Sequence, residues 1–184
     1  MIYPISIYGS PVLRKVAKDI DKDYPDFNEY IKNMWETMYY SDGVGLASPQ
    51  VGRSIRLFVI DGSPFEEDNP EMKDFKKVFI NAKIVDEGDE ETTRNEGCLS
   101  IPLLREDVAR PTKIRMEYYD ENFKFHDEWF EGIAAWIIQH EYDHTEGILF
   151  TDRVAPIKKR LLKGKLNAIT KGKFKVDYKY KLAK

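Results

Sequence analysis

A chain of 184 residues, 42% hydrophobic and 33% charged, is long enough to bury a sizeable core as one domain. No stretch approaches the roughly eighteen consecutive apolar residues of a membrane-crossing helix, and no basic-then-apolar leader opens the sequence. A single cysteine excludes an internal disulfide framework, so the expected setting is reducing and cytoplasmic. The net charge of −3 hides an asymmetry: residues 153–184 hold twelve Lys or Arg against one acid, Asp177. An acidic body with a basic end suggests a polyanionic partner for that end, although a solvated lysine surface has the same composition.

Residues 1–24, punctuated by Pro4, Gly9 and Pro11, read as an irregular or extended segment. From Pro25, apolar Phe27, Ile31, Met34 and Met38 recur at helical spacing, which predicts a helix ending before Gly43. The glycine-rich stretch 43–52 has no Gly-Lys-Ser/Thr and no suitable preceding strand. It therefore reads as a tight loop, not a phosphate loop. A strand over 55–60 follows, then an acidic, proline-bounded loop over 65–74 that is expected to be exposed. Short strands are predicted at 78–80 and 83–85, ending in an acidic turn over 86–91. Residues 95–102 read as a loop carrying the only cysteine, Cys98. Ile114, Met116 and Tyr118 alternate with charged residues as a half-buried strand, and a turn at 120–122 leads to a short strand over 123–126. A helix is expected from about residue 128 or 129 to Thr145, and a second, lysine-rich one from Pro156 to Thr170. Residues 174–180 alternate like a closing edge strand. No repeat or linker divides the chain, so 1–184 is expected to be one domain with a basic C-terminal segment over 153–184.

The chemistry concentrates at residues 139–144, Gln-His-Glu-Tyr-Asp-His, which close the apolar run 133–138. Residues four apart share a helix face, so His140 and His144 could grip one metal ion with Glu141 beside them. The same spacing also suits an ordinary solvated face, with Glu141 and Asp143 as ion-pair partners. The apolar approach to the pair argues for the metal. A catalytic site of this kind has three protein ligands and one open position. The position six residues past the second histidine is Phe150, which cannot ligate, and no acid occurs between Arg153 and Val176. Both downstream protease patterns therefore fail, and the third ligand must lie upstream. His126 sits among charged residues in a predicted strand. Cys98, after a glycine and outside any apolar run, is the better choice, against the alternative of a small buried hydrophobe.

Three segments, Gly-Val-Gly-Leu-Ala-Ser-Pro-Gln at 43–50, Glu-Gly-Cys-Leu-Ser at 96–100 and Gln-His-Glu-Tyr-Asp-His at 139–144, together resemble the motifs of peptide deformylases, in order. Ser48 replaces a usual alanine, and Thr145 a common leucine. The resemblance implies an α+β fold with mostly antiparallel β-sheets packed around a central helix carrying the His-Glu-x-x-His motif. It implies Cys98, His140 and His144 as ligands and Glu141 as the catalytic carboxylate. Gln50 and the Leu99 amide would serve as oxyanion donors. The implied reaction is metal-dependent hydrolysis of the formyl group from N-formylmethionyl nascent peptides. Ferrous iron is the implied metal, with Zn2+, Ni2+ or Co2+ as replacements on purification. Val44, Ile133, Trp136 and Ile137 would line the methionine slot, and helix spacing independently puts the last three on the face of the histidines. The resemblance also places the Gly45 backbone and Arg105 beside the peptide, and pairs Arg110 with Glu96. The basic segment is expected to dock near the ribosomal exit. A metallopeptidase cutting internal bonds and a non-catalytic relative are the rival readings. The first lacks its downstream ligand, and the second would require a reacting group to be missing.

Overall fold

The computed structural model describes residues 1–183. Nine strands and four α-helices build the fold: β1 (Ile5–Ser6), α1 (Phe27–Tyr40), β2 (Gly45–Ala47), β3 (Leu57–Asp61), β4 (Lys76–Glu87), β5 (Glu91–Cys98), β6 (Ile101–Pro111), β7 (Lys113–Tyr119), β8 (Phe125–Glu131), α2 (Gly132–Thr145), α3 (Phe150–Arg153), α4 (Pro156–Thr170) and β9 (Tyr180–Lys181). An antiparallel five-stranded sheet runs β2-β3-β4-β7-β8, while β5 and β6 form a separate hairpin. The only parallel pairing between these strands joins β1 to β9. The fold is α+β, mostly antiparallel, with α2 laid between its layers. No described helix is long and apolar enough to cross a membrane.

Packing explains why α2 is central. Ile133, Ala134, Ala135, Ile137 and Ile138 are buried in one cluster with Phe58, Phe79, Met116 and Phe130 of the large sheet. A second cluster joins α1, β1 and α4 through Met34, Met38, Ile5, Ile7, Leu162 and Ile169. An amphipathic helix buries one face, whereas α2 buries ten of its fourteen residues and has a polar end inside the protein.

Several elements depart from the periodicity reading, each for a tertiary reason. Strands predicted at 78–80 and 83–85 are one bent strand, β4. Its bend lies at Asn81, a left-handed residue at φ 52° in a register shift against β7. Asparagine tolerates that conformation, and here its side chain also accepts from the Ile20 amide at 2.9 Å and donates to the Ile20 carbonyl at 2.7 Å. Residues 43–52 are strand β2 and a 3-10 turn, because Gly45, Leu46 and Ala47 pair with Ile60, Val59 and Phe58. The 65–74 stretch is mostly exposed but contains short 3-10 turns and anchors itself through fully buried Met72.

The residues expected to form a loop around Cys98 are the end of β5 and the turn into β6. This hairpin is paired from Glu91↔Pro111 to Gly97↔Arg105. Its polar sequence, Glu-Thr-Thr-Arg-Asn-Glu, carries no hydrophobic alternation. The metal-motif helix begins at Gly132, not at 128 or 129. Glu128 and Trp129 instead pair with Met116 and Arg115 across β7–β8, and Gly132 at φ 59° turns strand into helix. Only Tyr180 and Lys181 of the C-terminal segment form a strand, and they pair with β1.

Candidate metal centre and active site

Helix α2 and the β5–β6 turn bring three distant side chains together. Metal-capable atoms of Cys98, His140 and His144 lie within 4.8 Å of one another. The Cys98 Sγ is 3.3 Å from His144 Nε2. His140 directs its other nitrogen, Nδ1, at Glu96 Oε2, 2.8 Å away, a contact that fixes the ring. A thiol and two imidazoles suit a borderline-soft divalent metal. The donor set therefore fits such an ion without rearrangement of the chain.

Glu96 is the hub behind the ligands. Trp136 Nε1 donates to its Oε1 at 2.7 Å, and Arg110, 1% exposed, forms a bidentate pair with it. Arg110 also donates through Nη1 to Asp143 at 2.9 Å, and Asp143 receives Arg153 as well. Burial would raise the Glu96 carboxyl, but His140 and Arg110 outweigh it and bring it to about 2. Glu141 contrasts sharply. Burial pushes it up to about 7 against the opposing charges of His140 and Arg110, and its Oε2 is buried with no hydrogen-bond partner. Burial, with the charge of His140, holds His144 well below the usual imidazole range.

Glycine is required at position 45 by this carboxylate. A Cβ there would lie 2.5 Å from Glu141 Oε1 and 2.8 Å from its Cγ. Strand β2 thus passes across Glu141 closely enough to exclude any side chain. β2 is the edge strand of the sheet, and no described strand pairs with its outer side. Three residues on, the 3-10 turn presents Gln50. Its Oε1 accepts from the Ala47 amide at 2.8 Å, which orients Nε2 toward Ser100 Oγ at 3.4 Å and Cys98 Sγ at 3.5 Å. The amide nitrogen of Gln50 is therefore aimed at the cysteine. Leu99 follows Cys98 in the turn between β5 and β6.

Val44 and Trp136 pack, half-buried, on the cluster that contains Ile133 and Ile137, so the four expected pocket residues belong to one hydrophobic cluster. Arg105, opposite Gly97, is exposed and tied to Asn95 through Nε at 2.7 Å. His126 lies apart from the cluster, paired to Asp120 at 2.8 Å on the β7–β8 hairpin.

The chain's likeness to known proteins agrees with this geometry. A family model described as polypeptide deformylase matches residues 2–160. The chain belongs to the peptide deformylase family. It is 58% identical to the peptide deformylase of Christiangramia forsetii, over 97% of this chain and 95% of the relative. It is 54% identical to that of Flavobacterium johnsoniae, over 100% and 97%. Among solved structures, the Thermus thermophilus peptide deformylase matches at a TM-score of 0.81 and 38% identity, covering 94% of this chain and 99% of that one. The Legionella pneumophila peptide deformylase matches at 0.80 and 34%, covering 94% and 98%. Peptide deformylases are metal-dependent hydrolases that remove the N-formyl group from nascent peptides, and this chain is an enzyme of that family.

The structure brings Cys98, His140 and His144, the three expected ligands, together, and adds supporting residues that the sequence reading did not assign. Asp143 was visible only as a surface ion-pair partner, yet it is 2% exposed between Arg110 and Arg153. Trp136 was read as a pocket wall, whereas its indole N–H also holds Glu96. Nothing in the sequence pointed to Tyr178, whose hydroxyl reaches the Leu99 carbonyl.

Proposed function

We propose that Cys98, His140 and His144 bind one divalent metal and that Glu141 is the acid/base of deformylation at that centre. The observation carrying this reading is the convergence of three metal-capable side chains within 4.8 Å, beside a buried carboxylate whose Oε2 has no partner. When bound, a divalent metal supplies Lewis acidity, making water a better nucleophile and a carbonyl a better electrophile. Glu141 takes a proton from the water that attacks the formyl carbon. The new C–O bond leaves a tetrahedral oxyanion, to which Gln50 Nε2 and the Leu99 N–H donate. Glu141 then passes the proton to the amine nitrogen, the C–N bond breaks, and formate and a free N-terminus remain. Glu96 keeps the His140 ring oriented throughout.

The extended peptide is proposed to run along the outer edge of β2, with the Gly45 backbone pairing to it, the mode by which sheets accept a strand. Its methionine side chain would lie against Val44, Ile133, Trp136 and Ile137, and Arg105 would stand near the peptide beyond it. A formyl group has only hydrogen beyond its carbonyl carbon, so a tight site admits it and excludes larger acyl groups.

Hydrolysis of formyl-Met-Ala-Ser by wild type and Glu141→Ala tests the mechanism. A loss of turnover on the order of a thousandfold is expected, and activity surviving the substitution overturns the assignment. The proposed native metal is ferrous iron. Comparable turnover of anaerobically prepared iron and zinc forms would remove that preference. The chain is proposed to act in the cytoplasm as one catalytic domain over 1–184, with the basic segment 153–184 docking near the ribosomal exit. α4 presents most of its charged residues to solvent, which supports a polyanionic partner. Ribosome co-sedimentation at low salt that is unchanged by replacing the α4 lysines with glutamine counts against the docking.

A further inference from the structure

The C-terminal segment does more than carry charge. After α4 the chain returns across the molecule, and β9 pairs in parallel with β1 through Ile5↔Tyr180 and Ser6↔Lys181. The Ile5 amide donates to the Lys179 carbonyl at 2.8 Å, and the Ile7 amide to that of Lys181 at 3.0 Å. Just past β1, the Tyr8 amide donates to the Ser100 carbonyl at 2.8 Å. Two residues before β9, the half-buried Tyr178 donates its hydroxyl hydrogen to the Leu99 carbonyl oxygen, also at 2.8 Å. Both consecutive carbonyls of the turn that follows Cys98 are thus held from outside the β5–β6 hairpin, one by the tail and one by the residue just past the strand the tail pairs with. Lys181 also lies over the 3-10 turn that presents Gln50, where a Cβ on Gly52 would come within 2.3 Å of its Nζ.

We propose that Tyr178 is a positioning residue for deformylation: its hydroxyl fixes the Leu99–Ser100 peptide and so aims the Leu99 amide at the developing oxyanion. The inference rests on the reading of Leu99 as an oxyanion donor. A carbonyl fixed by an external donor cannot swing with the turn, and holding the Leu99–Ser100 plane leaves the adjoining Cys98–Leu99 plane, which carries the Leu99 N–H, fewer ways to tilt through the two dihedrals of Leu99. The donor is phenolic and rigidly carried, with its ring packed on the cluster that also receives Leu99 and Cys98. A misaimed amide loses much of its contribution without being removed, so the expected effect is smaller than deletion of a donor.

The test is Tyr178→Phe in the full-length, metal-loaded enzyme, which deletes one oxygen and leaves the ring in place. Turnover, metal content and melting temperature are measured, together with the 13C shift of the Leu99 carbonyl in the diamagnetic zinc form. The expected result is a kcat lower by about tenfold with KM for formyl-Met-Ala-Ser and metal content retained, and a displaced Leu99 carbonyl resonance. Wild-type kcat with an unmoved carbonyl overturns the proposal, because Tyr178 then holds nothing. Wild-type kcat with a displaced carbonyl also overturns it, and identifies the Leu99 assignment as the part that failed. A fall in kcat that tracks metal loss or a lowered melting temperature overturns it in favour of a merely structural tyrosine.

Discussion

Helices α2 and α4 are almost equal in length, fourteen and fifteen residues, yet α2 buries ten of its residues and α4 only two. α2 carries its ionisable residues in its last turns, from His140 to His144, and α4 carries lysine and arginine from Lys158 to Lys165. In α2 those groups end inside the protein: Asp143 takes Arg110 and Arg153, His140 takes Glu96, and Glu141 keeps a buried Oε2 with no partner. In α4 one lysine, Lys158, pairs with Glu106 at 2.9 Å while Lys159, Lys163 and Lys165 are exposed, and apolar Ile157 and Leu161 are 71% and 75% exposed. A charge in water is cheap and chemically ordinary, whereas a charge out of water is costly unless paired. Burial is therefore what sets the ionisable groups of α2 apart from those of α4, most of which stay solvated on the surface.

Substitutions sharpen this contrast, beginning where burial and chemistry coincide. Cys98→Ala removes a donor from the three-atom cluster, and the purified protein should lose both activity and its equivalent of metal by elemental analysis. A stoichiometric, active Cys98→Ala enzyme would show that the cluster is not the centre. Gly45→Ala adds one carbon against Glu141. Displacing that carboxylate by about 1 Å is expected to cost on the order of a hundredfold in kcat, with metal retained. An unchanged rate would mean that β2 and Glu141 move apart freely. The smallest effect belongs to α4: Leu161→Lys should change unfolding free energy by no more than about 0.5 kcal/mol and leave peptide turnover untouched. A large loss there would reveal that the exposed face of α4 supports the fold after all.

How much of this was legible beforehand follows the same division. The α1 helix, the β7 strand and the lysine-rich α4 could be read from periodicity, because each presents one face to the core and one to water. The β5–β6 hairpin could not. Its residues Thr92, Thr93, Arg94 and Asn95 are polar on both faces, and backbone pairing to residues 107–110 makes them a strand. The start of α2 was misjudged for a related reason: Trp129 and Phe130 look like helix core, but belong to a strand paired with β7. The expected strand over 174–180 shrank to two residues, since only Tyr180 and Lys181 find partners.

By itself the sequence supplied the proposed reacting set. The spacing of His140 and His144 fixes them to one helix face, the lack of a downstream ligand turns the search upstream, and the three motifs name Cys98, Gln50 and Glu141. These are local properties, carried by residue identity and by the 3.6-residue period of a helix. Only the tertiary structure decided what holds that set in place. Arg110, Asp143 and Arg153 behind Glu96, the passage of Gly45 over Glu141, and the return of Tyr178 to Leu99 all join residues far apart in the chain. Such contacts depend on which side chains burial forces to share one small volume, and no local pattern encodes that.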